Sequence, residues 1–282
     1  MGSLASRVRA SRPEVLRRPT AAEVAHGGPV FRRGSVFVRA RAAGRPTSDV
    51  DLDEVAPPSG AGGWRADLGG VVALVRLAAA LPALDVRLSS TPAGDALRTA
   101  LAGRTLGVPR NRLCAAVLQV PAQVAERPSG KRHQALRTAL TASARAGLEV
   151  RLVPDAAERR TVADAAARRV PRLASWARSA PGHTEQEWWV ASGPDGTVAG
   201  IATVVVDAEW ASLVILIGLP GGGTESHARF LLHHAVVRSL AARGVRWLTV
   251  LDRSPLLLAP GPQHLQRVLG YQVARLRRPT RA

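Results

Sequence analysis

The stretch LVILIGLPGGGTESHARFLLHHAVVRSLAARGVRWLTVLD, at positions 213–252, carries the clearest structural pattern in the chain. It predicts an apolar strand at 213–217, a glycine-rich loop at 218–226, a long helix and a second strand at 245–251. On a helical wheel, apolar residues cover more than one side of this helix, which indicates burial from more than one direction. Arg243 and Gly244 predict its end, because a cation suits the negative end of a helix and glycine accepts a positive φ.

The glycine-rich loop is a candidate ligand site. Strand, loop, helix and strand at this spacing predict a crossover connection, with the loop at the helix N-terminus beside the end of the first strand. Backbone amides of Gly221, Gly222 and Gly223 could approach a phosphate or a carbonyl oxygen closely, and Thr224 or Ser226 could cap the helix. The alternative is a flexible turn without a ligand, and a glycine run alone does not decide between the two.

The chain is strongly basic. Its 282 residues include 39 Lys and Arg against 21 Asp and Glu, a formal net charge of +18, and every basic residue except Lys131 is arginine. Such an excess attracts nucleic acid, anionic membranes or phosphorylated substrates. A polyanionic partner is therefore favoured.

Cysteine content and hydropathy restrict the class of protein further. A single cysteine, Cys114, excludes an internal disulfide and a cysteine-based metal cluster. The longest apolar run, at 71–84, is interrupted by Arg76 and is too short to span a bilayer, and no signal peptide is evident. The seven histidines are dispersed, so no metal site is expected. These features predict a cytoplasmic protein without a transmembrane helix.

The first half of the chain alternates helix and strand patterns. We predict a helix at 70–83, a strand at 85–90, a helix at 92–101 and a strand at 114–120. None of them carries a recognisable nucleophile, metal cluster or dinucleotide fingerprint. This half is expected either to support the other half or to hold one side of a cleft.

A basic helix is predicted at 131–146. On a helical wheel Lys131, Arg137 and Arg145 border or share one polar stripe, and no acidic residue occurs between Lys131 and Gly147. The stripe is either a solvated amphipathic face or a surface that contacts phosphates.

The remainder of the second half predicts further α/β structure. A strand is expected at 148–153, one or two helices at 155–177, and a hairpin with strands at 188–192 and 197–206 around a Gly-Pro-Asp-Gly turn. A short helix at 263–269 and a final strand complete the pattern.

This order of elements resembles the GNAT acyltransferase fold. The resemblance rests on DGTVAG at 195–200, the loop and helix at 218–243, and LGY at 269–271, and it covers roughly residues 149–278. It implies an α/β acyltransferase domain.

The stretch SGKRHQALRTALTASARAG, at 129–147, is similar to the basic helix of Fem-type aminoacyl-tRNA-dependent transferases and their lysyl-phosphatidylglycerol relatives. That resemblance implies two tandem GNAT-like domains with mixed central sheets flanked by helices: a degenerate domain at 1–128 and a transferase domain at 129–282 that includes the basic helix. It also implies contacts to tRNA phosphates from Lys131, Arg132, Arg137 and Arg145.

The expected function is transfer of an aminoacyl group from charged tRNA to a small-molecule or peptide amine, without a cofactor or metal. The ester is already activated, so positioning the amine and stabilising the tetrahedral oxyanion could suffice. Asp252 and Glu187 are candidates for a general base. Two alternatives stay open: an acyl-CoA-dependent GNAT N-acetyltransferase that uses acetyl-CoA, and a non-catalytic nucleic-acid-binding protein on a GNAT-like fold.

Overall fold

The computed structural model describes residues 81, 83–102, 104–105, 108–109, 115–124, 130, 133–221, 223–250, 265–266, 268–277 and 279–281. The predicted helix at 70–83 lies almost entirely outside these residues, and Cys114 lies outside them as well. The helices and strands, in chain order, are β1 (Ala83–Leu84), β2 (Arg87–Leu88), α1 (Pro92–Leu101), β3 (Arg104–Thr105), β4 (Val108–Pro109), β5 (Ala115–Gln119), α2 (Gln134–Arg145), β6 (Glu149–Leu152), α3 (Ala156–Arg169), α4 (Ala174–Ser179), β7 (Gln186–Ser192), β8 (Val198–Asp207), β9 (Trp210–Gly218), α5 (Glu225–Ala242), β10 (Trp247–Val250), β11 (Gln272–Leu276) and β12 (Thr280–Arg281).

The chain forms two compact units. One comprises Met1–Val86, Leu101–Val117 and Asp252–Pro279, and the other comprises Arg87–Ala100, Leu118–Leu251 and Thr280–Ala282. Both units take residues from each side of position 128. The domain boundary predicted there stays a prediction.

The larger unit is built on a mixed sheet. Its strands lie in the order β10, β9, β8, β7, β6. Neighbours from β6 to β9 are antiparallel, whereas β9 and β10 are parallel and joined through α5. The predicted crossover is therefore confirmed, as is the mixed α/β class with helices against the sheet.

Helix α5 covers one face of this sheet because small residues allow it to approach closely. A Cβ atom at Gly200 of β8 would lie 3.1 Å from the Cβ of Ala228 and 3.0 Å from Leu232 Cδ1. The helix ends as predicted: Gly244 has a φ of 75°, and the next amide, of Val245, donates to Leu240 O at 3.0 Å.

Helices α3 and α4 cover the opposite face. Ile201 follows Gly200 in β8, so its side chain points away from α5. It packs in a buried cluster with Val162 and other residues of α3, with Ala177 of α4, and with Trp188. The rings of Trp188 and Trp176 stack with centroids 5.0 Å apart. The sheet is thus enclosed on both faces, as in an α/β layer architecture.

The hairpin between β7 and β8 has the predicted turn. Gly196 has a φ of 78°, and the Asp195 carboxylate accepts hydrogen bonds from Thr197 N at 3.0 Å and Thr197 Oγ1 at 2.7 Å. These bonds lower the pKa of Asp195. The turn residues therefore determine the register of the two strands.

Of the strand predicted at 85–90, only Arg87–Leu88 (β2) is a strand, and β1 precedes the predicted range. One reason lies at Ser89, whose backbone amide donates at 2.7 Å to a carboxylate oxygen of Asp207, and whose hydroxyl donates to the same side chain. The hydroxyl of Thr91 donates to Asp207 as well, at 3.0 Å. Asp207 is buried, and it holds the segment before α1 where a longer strand was expected.

The smaller unit contains its own strand pairs. β11 pairs parallel with β1 and antiparallel with residues 115–117 of β5, while β3 pairs with β4. Tyr271, just before β11, is buried, which raises the pKa of its phenol. Among the helices of the described residues, none has the length and apolar character to cross a membrane.

Candidate functional site

The glycine-rich loop leaves β9 and enters α5 through a close backbone contact. A Cβ atom at Gly218 would lie 2.0 Å from the carbonyl oxygen of Glu225, so only glycine fits there. Gly221 and Gly223 have φ values of 119° and 68°, which side chains rarely adopt. Gly222 lies outside the described residues. The glycines are thus needed to fold the loop back onto the first turn of α5.

A carboxylate of the chain itself accepts the hydrogen bond of one of the amides that were predicted to bind a ligand. The backbone amide of Gly221 donates to Glu225 Oε1 at 2.9 Å. Glu225 is the first residue of α5, where the helix dipole stabilises a negative charge. Thr224 occupies the N-cap position, but its side chain makes no capping hydrogen bond. The glutamate therefore fills part of the space that the sequence assigned to an anionic ligand.

Arg169, the last residue of α3, anchors the loop from the other side. Its Nε donates to Pro220 O at 2.7 Å and its Nη2 to Leu219 O at 3.1 Å. The guanidinium also donates to Val198 O in β8 and, through Nη2, to Pro220 O. Nη2 would lie 3.2 Å from a Cβ atom on Gly221. Two consecutive loop residues, Leu219 and Pro220, are thus held by one side chain, which also leaves little room for a side chain at Gly221.

Sequence reasoning missed Arg169 as a site residue. Its partners lie 50 and 51 residues further along the chain, and nothing in the local pattern of α3 indicates such contacts. The loop has no arginine of its own, and α3 supplies one.

The structure brings the basic helix α2 against the start of α5. Ser143 is fully buried, and its hydroxyl lies 2.9 Å from Ala139 O and 3.2 Å from His227 O in the first turn of α5. Two features that lie far apart in the sequence, the glycine-rich loop and α2, are therefore close in space.

The predicted phosphate-binding residues can be placed in part. Arg145 is exposed at the C-terminal end of α2, two residues after Ser143. Arg137 is partly exposed, and its Nη1 donates to Gly130 O at 2.6 Å. Lys131 and Arg132 lie outside the described residues.

The candidate general bases do not join the loop in the described part of the chain. Glu187 lies in β7 and forms a two-pronged ion pair with Arg243, which follows the C-terminal end of α5. Helix α5 has 18 residues, so Arg243 lies about 27 Å from the loop at a rise of 1.5 Å per residue. Asp252 lies outside the described residues.

The adjacent histidines of α5 are buried rather than exposed to a ligand. Burial, together with the neighbouring His234, lowers the pKa of His233 to about 3. Burial and the nearby Arg238 lower the pKa of His234. No group of three or more potential metal ligands occurs within the described residues.

These contacts define what the site can do. A rigid turn carries backbone amides at a helix N-terminus, a guanidinium lies under the turn, and a carboxylate lies at its edge. Backbone amides suit a developing oxyanion and the carboxylate suits an amine, while the guanidinium of Arg169 is bonded to carbonyl oxygens and holds the turn in place. The arrangement fits acyl transfer to an amine.

Comparison with known proteins gives distant structural similarities only. No protein-family model matches the chain, and no curated protein matches it. Among solved structures, one neighbour is the C-terminal domain of a protein described as a lysylphosphatidylglycerol synthetase from Agrobacterium fabrum, with a TM-score of 0.42 and 12% identity over 57% of this chain and 58% of that one.

Two further solved structures are similar to this chain at the same distant level. The structure of L-PGS from Bacillus licheniformis has a TM-score of 0.39 and 14% identity over 57% of this chain and 59% of that one. A tandem GNAT protein from the clavulanic acid biosynthesis pathway has a TM-score of 0.38 and 13% identity over 74% of this chain and 68% of that one. The chain spans about three fifths of the length of the first two neighbours.

Proposed function

We propose that this chain is an acyltransferase of GNAT-like architecture that moves an aminoacyl group from charged tRNA to an amine acceptor. The observation that carries the proposal is the contact between α2 and the first turn of α5, made through Ser143 and His227. It sets the basic helix beside the glycine-rich loop. A polyanionic donor held by the basic helix would present its reactive end to the glycine-rich loop.

The charges at the loop favour this donor over acyl-CoA. A CoA pyrophosphate bound at the start of α5 would lie beside the Glu225 carboxylate, which already accepts the Gly221 amide. The negative charges of the pyrophosphate and the carboxylate would repel each other. An aminoacyl ester carries an α-amino group, and the acceptor is itself an amine, so both suit a nearby carboxylate. Amides of the loop, including that of Gly223, are the proposed oxyanion donors.

Little further chemistry is required of the protein. The ester is activated before it binds, so the chain must hold the carbonyl carbon near the amine and stabilise the charge that develops on the carbonyl oxygen. The amine nitrogen forms the new bond, the ribose oxygen leaves, and the proton passes from the amine to the leaving oxygen or to water. Asp252 stays a candidate for assisting that proton transfer, whereas Glu187 is paired with Arg243 at the far end of α5 and does not reach the loop.

The test is the salt dependence of tRNA binding. Replacing Lys131, Arg137 and Arg145 together by Gln should reduce the magnitude of the salt slope by roughly 2 to 3 units if each neutralises one phosphate. The fold should persist, because the buried face of α2, at Leu136, Ala139 and Ser143, is unchanged.

A matched control removes three cations that are already paired. Arg151, Arg243 and Arg246 form ion pairs with Glu158, Glu187 and Glu209. Their replacement by Gln changes the net charge equally and should leave the slope within about half a unit. Equal slopes for wild type and the variant with Lys131, Arg137 and Arg145 replaced would contradict tRNA binding through these three residues.

A further inference from the structure

Exposed arginines flank the glycine-rich loop from both faces of the sheet. On one face, Arg145 follows Ser143, which contacts the first turn of α5. On the other face, Arg168 precedes Arg169, whose guanidinium holds Leu219 and Pro220 of the loop. Arg168 is exposed, and it has no ion pair with another described residue. The two helices that pack at the loop, α2 and α3, therefore each carry an exposed arginine near the end that lies by the loop.

A further arginine continues this surface away from the loop. Arg172 lies in the turn Pro171–Leu173 that follows α3, and it too is exposed. With Arg168 it places two cations within four residues of Arg169. The loop thus lies between α2 and the end of α3, and both of these segments carry exposed arginines.

We propose that Arg168 and Arg172 form a second RNA-binding surface, which continues the one on α2 to the other side of the glycine-rich loop. This inference rests on the proposed function and extends it to residues outside α2. A nucleic acid backbone is a repeated row of phosphates, so it can contact cations on both sides of the loop at once. A single small phosphate cannot. Since the proposed donor is a tRNA, the partner is an RNA strand that crosses the loop.

The chain offers a control on the same helix. Arg160 is also exposed, and it lies eight residues before Arg168, or about 12 Å further from the loop at 1.5 Å per residue. Asp164 is one turn from each of them, so both arginines have the same acidic neighbour. The two positions differ in their distance from the loop and by about 80° in direction around the helix.

The experiment measures binding of uncharged tRNA over a salt series. Arg168→Gln should reduce the magnitude of the slope by roughly 1 unit and Arg168→Gln with Arg172→Gln by roughly 2 units. Arg160→Gln should leave the slope unchanged. Arg168→Lys should keep the wild-type slope, because it keeps a cation at this position. Parallel slopes for wild type and the double variant, or an equal loss in Arg160→Gln, would overturn the proposal.

The outcome is separable from that of the proposed function. If only the α2 arginines change the slope, RNA binding stands and this second surface falls. If Arg168 and Arg172 change it but no aminoacyl transfer is detected, the surface stands and the transferase proposal falls.

Discussion

Arg169→Ala tests how strongly one side chain holds the glycine-rich loop. The guanidinium donates to three carbonyl oxygens, those of Val198, Leu219 and Pro220, through four contacts. A hydrogen bond from a charged donor contributes about 1.5–3 kcal/mol when buried, and we take about 0.5–1 kcal/mol for each of these partly exposed contacts. The expected loss is about 2–4 kcal/mol in the free energy of unfolding.

The assay is urea unfolding followed by tryptophan fluorescence. Trp176 and Trp188 stack in the same buried cluster that includes Leu219, so their emission reports on this part of the fold. The transition midpoint should fall with little change in the slope of free energy against urea. Arg169→Lys keeps the charge but cannot reach three carbonyls together, so it should recover less than half of the loss.

Arg168→Ala is the matched control. Arg168 is the exposed neighbour of Arg169, and its removal should change the free energy of unfolding by less than about 0.5 kcal/mol. If Arg169→Ala were no less stable than Arg168→Ala, the reasoning on the loop would be refuted.

Two more predictions concern charge. Glu225→Gln should strengthen binding of CoA and of inorganic pyrophosphate by about 5- to 150-fold, because a unit charge about 5 Å from a bound phosphate opposes its binding by roughly 1–3 kcal/mol. Calorimetric titration measures this change. A gain no larger than that of Glu209→Gln, at the opposite end of β9, would contradict it. Burial lowers the pKa of His233 from 6.5 to about 3, so the unfolded state binds a proton more readily than the folded state. The stability that the neutral His233 contributes is therefore complete above pH 6.5. It is lost as the pH falls from 6.5 toward 3, by up to about 1.4 kcal/mol per pH unit. His233→Leu should flatten the acid limb of a stability profile, and an unchanged limb would show that this histidine does not determine it.

The fold around positions 213–252 was predictable because the patterns of a buried strand and of a buried helix follow each other directly there. A purely apolar strand, glycines, a long apolar helix and an Arg-Gly end leave few alternatives, and β9, α5 and β10 follow them closely. The hairpin at β7 and β8 was predictable for the same reason, since Gly196 and Asp195 determine the turn locally.

Contacts between distant residues were not predictable from these patterns. Arg169 reaches the loop only because α3 ends beside β9, and Ser143 meets His227 only because α2 packs on α5. Two local contacts were also missed. Thr224 was a candidate cap for α5, but its side chain makes no capping hydrogen bond, and the Glu225 carboxylate accepts a hydrogen bond from the Gly221 amide. The sequence could identify the loop and the basic helix, but not the charges around the loop.

The central claim is the use of charged tRNA as donor, and the most direct measurement follows the ester itself. Bulk tRNA charged with radiolabelled amino acids is incubated with the full chain and hydroxylamine as a small amine acceptor, and the loss of label from tRNA is compared with the protein-free rate. The account predicts faster loss with formation of the labelled amide-type product, and a slower rate in the variant with Lys131, Arg137 and Arg145 replaced by Gln. An unchanged rate with charged tRNA, together with consumption of acetyl-CoA under the same conditions, would contradict it.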